Sequence, residues 1–324
     1  AYGDKNAAPT VYAFEGATGL VVWKNQTAYV SEDRIAYSTP CITPEMLVVG
    51  NRGTSGMLRR FDKTSGRNTA TVKPANGGIS AGTIVLKSGA AIYTASGTHG
   101  YGLMVPDNLS GWAAVSKDNG FTPGDILSSN QCQPCVGSDN VLYLAGTVNG
   151  SGTWNLAAFD CANLTATSSK TPKWSVALDG GFKQTGASLS ADGQTLYIVA
   201  DAVTPSVVYA LNTSNGATRW SWTLDAECHS VPAVDNLGQV HVVTASGTYV
   251  VLSPEGDVVY SQKLADSFEG SVSIAEWGYA YVLGKDTAAG KLKVYAVALP
   301  GVTSSADSSW SQYGGNARHI NYQK

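Results

Sequence analysis

The sequence predicts an all-β fold, a β-propeller of four-stranded antiparallel blades, on three observations. Short strand-forming runs alternate with turn residues along the whole chain. A glycine–tryptophan motif recurs at fixed spacing. A second, two-strand signature sits upstream of each copy of that motif. Val, Ile, Thr and Tyr fill the runs, and 36 glycines with clustered Ser, Thr, Asn and Asp separate them.

The motif is clearest in two places. Ala13-Phe14-Glu15-Gly16-Ala17-Thr18-Gly19 leads to Trp23, and Ala210-Leu211-Asn212-Thr213-Ser214-Asn215-Gly216 leads to Trp220. In both, Gly lies six residues after Ala and Trp four after Gly, and a Val-Tyr pair comes first (Val11-Tyr12, Val208-Tyr209). Weaker copies follow. Arg60 to Gly66 keeps the first spacing but has Ala70 where Trp would stand, Ala158-Phe159-Asp160 runs through a longer turn to Trp174, and Val251 to Gly256 reaches Tyr260. The glycine supplies a positive-φ turn between a third and a fourth strand. The indole is large enough to wedge between neighbouring sheets.

The upstream signature is a short strand, a turn and a β-rich strand. It spans Cys41-Ile42 to Val49, Thr83-Ile84 to Tyr93, Cys135-Val136 to Tyr143, Gly186-Ala187 to Tyr197, Ala233-Val234 to Val242 and Ser273-Ile274 to Tyr281. The two signatures make a unit of about 40 to 50 residues. One four-stranded sheet exposes two apolar faces and two edges. Stacking such sheets radially buries the faces and leaves only short edges. This assigns one domain over 1–324, with blades at about 38–75, 79–126, 128–178, 184–225, 228–265 and 268–313. Residues 1–36 read as the outer half of an opening blade whose inner strands lie before Ala1. The expectation is a ring of about seven blades, the first incomplete, with 314–324 free to add a strand at the closure. An open β-solenoid would need shorter and more uniform repeats.

The repeat resembles the pyrroloquinoline-quinone-like (PQQ-like) propeller family, whose usual form is a Tyr-Ala-Leu-Asp strand, a Thr-Gly turn and a Trp four residues on. The tail Trp310-Ser311-Gln312-Tyr313-Gly314-Gly315 looks like the closing segment of such propellers in bacterial surface proteins. The resemblance implies a non-dehydrogenase bacterial type in the periplasm, outside the cell or at its surface. Quinoprotein dehydrogenases of the family place a vicinal cysteine pair over the quinone. No two of Cys41, Cys132, Cys135, Cys161 and Cys228 are adjacent. No cofactor is therefore expected.

Composition narrows the function further. Charged residues are 14% of the chain and the net charge is -3, without the basic excess of a nucleic-acid surface. No apolar run reaches the length of a membrane-spanning helix. The first residue is Ala rather than Met, so the expectation is a processed form or a fragment. The five cysteines read as buried small hydrophobes. Cys132 and Cys135 have C-x-x-C spacing but no helix to cap, and Cys and His are too scattered for a zinc set. No metal is expected.

In a propeller, the loops entering the innermost strands share a face with those joining strands two and three. Aligning the blades places Tyr37, Ile79, Gln131, Lys183, His229 and Glu269 just before successive innermost strands. Such a ring would form a mixed donor and acceptor mouth for a polar ligand. His229 beside Glu269 could make an acid–base pair. Tyr101 and Trp277 are candidate aromatic ligand contacts. His99 lies in a Gly-rich loop that precedes no helix, which argues against a phosphate cradle. Asp and Glu are dispersed and show no facing pair for glycoside hydrolysis.

The reading is a non-catalytic binding or scaffold propeller, expected to be a monomer, with a protein or glycan ligand and no catalytic residue assigned. The alternative is an enzyme at the channel mouth, either a quinone-dependent oxidoreductase or a carbohydrate-active enzyme. Converging carboxylates there would favour the enzyme, an aromatic platform a glycan, and a broad apolar patch a protein partner.

Overall fold

The computed structural model describes residues 10–25, 40–44, 46–50, 58–72, 84–86, 91–94, 101–104, 112–114, 121–123, 133–148, 154–162, 172–182, 185–313 and 315. Every regular element among them is a strand, and all strands pair antiparallel. The described residues fall into two compact units, one up to Ala114 and one from Phe121 onward.

In the first unit, β1 (Val11–Phe14) pairs with β2 (Val21–Asn25) as a two-stranded sheet, as an outer half-blade would. A four-stranded sheet follows, in the order β3 (Cys41–Ile42), β4 (Met46–Gly50), β5 (Leu58–Asp62) and β6 (Asn68–Val72). The next runs β7 (Ile84–Val85), β8 (Ala91–Thr94), β9 (Tyr101–Met104) and β10 (Trp112–Ala114).

In the second unit, β11 (Phe121–Pro123) and β12 (Cys135–Val136) both pair with β13 (Val141–Val148), which continues to β14 (Trp154–Asp160) and β15 (Trp174–Ala177). Phe121–Pro123 therefore extends this sheet, although the repeat reading placed it in the preceding blade. The long strand β13 outreaches β12, and β11 covers the remainder. Two regular sheets come next. One is β16 (Ala187–Leu189), β17 (Thr195–Ala200), β18 (Val207–Asn212) and β19 (Thr218–Thr223). The other is β20 (Ala233–Val234), β21 (Val240–Val243), β22 (Thr248–Leu252) and β23 (Val258–Lys263). The last sheet has three strands, β24 (Ser267–Ile274), β25 (Tyr279–Asp286) and β26 (Lys291–Ala298). Here the repeat reading expected a fourth strand before residue 313. The chain instead leaves the sheet at Leu299 and runs across the ends of other strands.

Burial falls from the inner to the outer strand of a sheet. All of β17 and β21 is buried, whereas β19 is largely exposed and β23 wholly so. Inner strands with neighbours on both faces read as continuous apolar runs, as Leu196-Tyr197-Ile198-Val199-Ala200 does. Two shared cores join consecutive sheets. Tyr197, Val199 and Val208 pack with Val240, Val242 and Val250, and Val243, Tyr249 and Val251 pack with Val272, Ile274, Ala280 and Val282. Each of these side chains contributes roughly 1.5–3 kcal/mol by leaving water.

The motif glycines do what the spacing predicts. Gly19, Gly66, Gly216 and Gly256 have φ between 69° and 96°, and each follows a register shift in its hairpin. The first residue of the turn holds it shut. Asp62 Oδ1 accepts the amides of Thr64 and Ser65, and Asn212 Oδ1 accepts the amide of Ser214.

The tryptophan stacks on the glycine of the following sheet, not its own. Trp23 covers Gly66, Trp174 covers Gly216 and Trp220 covers Gly256. Each indole Nε1 donates to a carbonyl in that next turn, namely Lys63, Thr213 and Pro254, at 2.7–2.8 Å. One repeat thus delivers a glycine-sized socket and a plug for its neighbour's socket.

Candidate functional site

The loops that enter the innermost strands lie at the other end of the sheets from these glycine turns, because adjacent strands run antiparallel. In the second unit the same end carries a line of carboxylates at loop positions. Asp225 follows β19 and reaches the β21–β22 turn of the next sheet, where its Oδ2 accepts the hydroxyls of Ser246 (2.9 Å) and Thr248 (2.6 Å). Burial raises its pKa, but the hydroxyls of Thr248, Ser246 and Thr244 together outweigh that and hold it below the ordinary carboxylate value. Asp266, at the equivalent position after β23, accepts the hydroxyl (2.6 Å) and amide (2.7 Å) of Thr287. These two bonds depress its pKa, the hydroxyl most. The carboxylates tie each sheet to the following one, opposite the Trp–Gly contacts.

His229 stands in the loop between β19 and β20. Its Nδ1 lies 3.0 Å from Oδ2 of Asp201, a fully buried carboxylate at the end of β17, and its Nε2 lies 3.3 Å from Glu227 Oε1. The imidazole is about one-third exposed and the Glu227 carboxylate is similarly open. The backbone supports the cluster: Asp201 N donates to Gly181 O, and Ala245 N to Glu227 O. Cys228 between them is buried, donates its amide to Ser206 Oγ, and burial pushes its thiol up to about 12. An imidazole held between two carboxylates can donate from both nitrogens when protonated. One polar edge of this cluster faces solvent.

Two partners of His229 are therefore Asp201 and Glu227, while the side chain of Glu269, the expected partner, lies outside the described residues. Glu269 does not precede its innermost strand. It lies inside β24, opposite Leu283, beside a bulge where Gly270 has φ 89°. Strand β24 starts early because Phe268 is buried against the edge of Tyr295. Tyr37, Ile79, Gln131 and Lys183 lie outside the described residues, as do His99 and Cys132. Tyr101 opens β9 and pairs with Thr94. Trp277 is 78% exposed in the tight turn before β25.

Sequence reasoning missed Asp201 and Glu227. The signal for Asp201 was an acid directly after an unbroken apolar strand, a place where a buried charge needs a partner. A second cluster, His241 between Asp235 (3.0 Å) and the Tyr249 hydroxyl (2.8 Å), is wholly buried and braces β20, β21 and β22. Cys41, Cys135, Cys161 and Cys228 are buried, as small hydrophobes would be. Among the described residues no cluster of His, Cys, Asp and Glu has an arrangement that could hold a metal, and no helix is long and apolar enough to cross a membrane.

The outward face of the last sheet is apolar. Tyr279 and Leu283 on β25 stand opposite Ala298 and Val294 on β26, with Leu292 beside them and Val294 70% exposed. The rings of Tyr279 and Tyr281 lie 6.4 Å apart on this face.

Residues 162–303 match the family described as outer membrane protein assembly factor BamB, a PQQ-like repeat family. Over those residues the chain is similar to that family's propeller repeats. Among solved structures, BamB from Moraxella catarrhalis is similar with a TM-score of 0.52 and 16% identity, over 90% of this chain and 89% of that one. Hydrazine synthase from Kuenenia stuttgartiensis is similar with a TM-score of 0.60 and 12% identity, over 90% of each chain. At such identities the likeness is one of fold, and it establishes the β-propeller architecture. No curated protein matches the sequence. Of the two clearest copies of the motif, the match includes Ala210 to Trp220 and leaves out Ala13 to Trp23.

Proposed function

We propose that this PQQ-like propeller is a non-catalytic scaffold that binds a protein partner in the periplasm or at the cell surface of a bacterium. The single observation that carries the reading is the apolar outward face of the last sheet, where Leu283, Leu292 and Val294 are open to solvent beside Tyr279 and Tyr281. A contiguous apolar face suits a protein surface better than a sugar, which needs flanking hydrogen-bond donors and acceptors. The match to a family named for assembling outer membrane proteins supports the same reading. So does the use of Asp225 and Asp266 as ties between sheets, which makes a rigid frame. The rim around His229, with Tyr37, Gln131, Lys183 and Glu269, is then a polar border that helps set specificity.

Photo-crosslinking residues placed singly at Val294, Trp277 and His229, in the organism that makes the protein, test this. The reading expects adducts of one protein mass at Val294, and none at Gly193 at the opposite end of its sheet. Adducts that dissolve on deglycosylation would replace the partner with a glycan. An absence of adducts at all three positions would remove the proposal.

A further inference from the structure

After β26 the chain turns at Leu299–Val302 and crosses the ends of the innermost strands, one residue to each sheet. Ser309 Oγ donates to Val136 O at 3.0 Å, and Trp310 O accepts the Leu189 amide at 2.7 Å. Ser311 O accepts the Val234 amide at 2.8 Å, and Gln312 Oε1 accepts the Ile274 amide at 2.8 Å. Val136, Leu189, Val234 and Ile274 are the last residues of β12, β16, β20 and β24. They are equivalent positions in four consecutive sheets.

Upstream contacts steer the segment into place. Ala306 N donates to Val234 O, Asn236 N donates to Ser304 O, and Asn236 Oδ1 accepts the amides of Thr303 and Ser304. Trp310, Ser311 and Gln312 are buried, and Trp310 ranks among the largest fully buried side chains. The three motif tryptophans differ from it, since each stays partly exposed.

Strand ends normally leave backbone groups for water or a turn to satisfy. Here three amides and one carbonyl converge from four sheets on a single short, turn-rich stretch. We propose that the ends of β12, β16, β20 and β24 form a binding site for a peptide of the pattern Ser-Trp-Ser-Gln in a turn conformation, filled in cis by residues 309–312, which clasps the four sheets together. This inference is independent of the proposed partner surface. The indole is the anchor, the serines let the backbone approach closely, and the Gln side chain bridges to the fourth sheet. The occupied end is opposite the loops that carry His229, so the clasp leaves that rim free.

The test uses full-length protein with a protease recognition sequence inserted between Pro300 and Gly301, both exposed. Folding precedes cutting, so a truncated chain need not fold alone. After cleavage the tail should co-elute with the body on gel filtration. Mild urea should release it, and a synthetic peptide of residues 302–319 should then rebind and restore the thermal midpoint. The same peptide with Trp310→Ala should bind at least roughly tenfold more weakly, a buried indole being the kind of anchor that dominates such contacts. Hydrogen exchange supplies the specific readout: the amides of Leu189, Val234 and Ile274 should lose protection when the tail leaves, while that of Val251 within its sheet should not. A cut tail that separates at once, or a peptide that leaves both the midpoint and those three amides unchanged, overturns the proposal.

Discussion

A β-carbon on Gly216 would come within 2.6 Å of the indole of Trp174, a residue from the preceding sheet. The close approach and the positive φ of 74° are two separate demands on one position. Gly216→Ala should lower stability by about 2–4 kcal/mol, of which about 1–2 is left-handed backbone strain. Gly193 separates the two contributions. It has φ 68° and open space around its missing β-carbon, so Gly193→Ala should cost only the strain. Urea denaturation of both variants measures the difference. Equal losses would show that the indole yields freely.

His229→Ala should cost stability although the imidazole is about one-third exposed. The structure gives it a buried carboxylate partner, Asp201, so the substitution removes a hydrogen bond from a group with little access to water. A loss of about 1–3 kcal/mol is expected, with His229→Asn recovering part of it if the amide reaches Oδ2. Thermal melts of the two variants against the parent decide the point.

His241→Leu should be worse. It leaves both the Asp235 carboxylate and the Tyr249 hydroxyl without their ring-nitrogen partner in a wholly buried site. About 2–5 kcal/mol should be lost, enough to make expression of folded protein the simplest readout.

Asp225 links acid to the cohesion of neighbouring sheets. Its folded pKa is depressed, so its contribution is present above the ordinary carboxylate value of 3.8 and disappears as pH falls through the lower folded value. Stability followed from pH 5 down to 2 should fall, and Thr248→Val should flatten part of that limb by removing a hydroxyl donor. An unchanged limb in the variant would assign the acid sensitivity to other carboxylates, Asp266 and Asp192 among them.

Cys41, Cys135, Cys161 and Cys228 should resist thiol reagents in the native protein and react on unfolding. For Cys135 and Cys228 burial holds the thiol in its protonated form, which is a poor nucleophile. Rapid native labelling of any of the four, followed by mass spectrometry, would mean that the sheets open locally.

The Trp–Gly relationship was legible in the sequence because one short motif carries both halves of it. Trp220 serves as plug and Gly216 as socket within five residues, and repetition supplies the partners. The surroundings of His229 were not legible in that way. Asp201 is 28 residues upstream, in a loop of the preceding sheet, and nothing in its immediate sequence marks where that loop ends. The path of residues 303–313 was hidden for a related reason. A segment that meets four sheets through single residues at 309–312 has no repeat of its own, and Trp310 read as a closing element without saying what it closed. Glu269 lies within β24, which the bulge at Gly270 lengthens toward its start, and the repeat spacing does not register such a bulge.

The route of residues 309–312 bears on the timing of assembly. The amides of Leu189, Val234 and Ile274 emerge during synthesis well before the stretch that satisfies them. Until that stretch arrives, these sheets lack the clasp and hold together by side-chain contacts and a few backbone bonds such as Gln133 N to Thr185 O. A ribosome-bound or translocating intermediate should therefore remain open to chaperones and proteases, and its maturation should be set by delivery of the final turn of polypeptide, not by the pairing of strands.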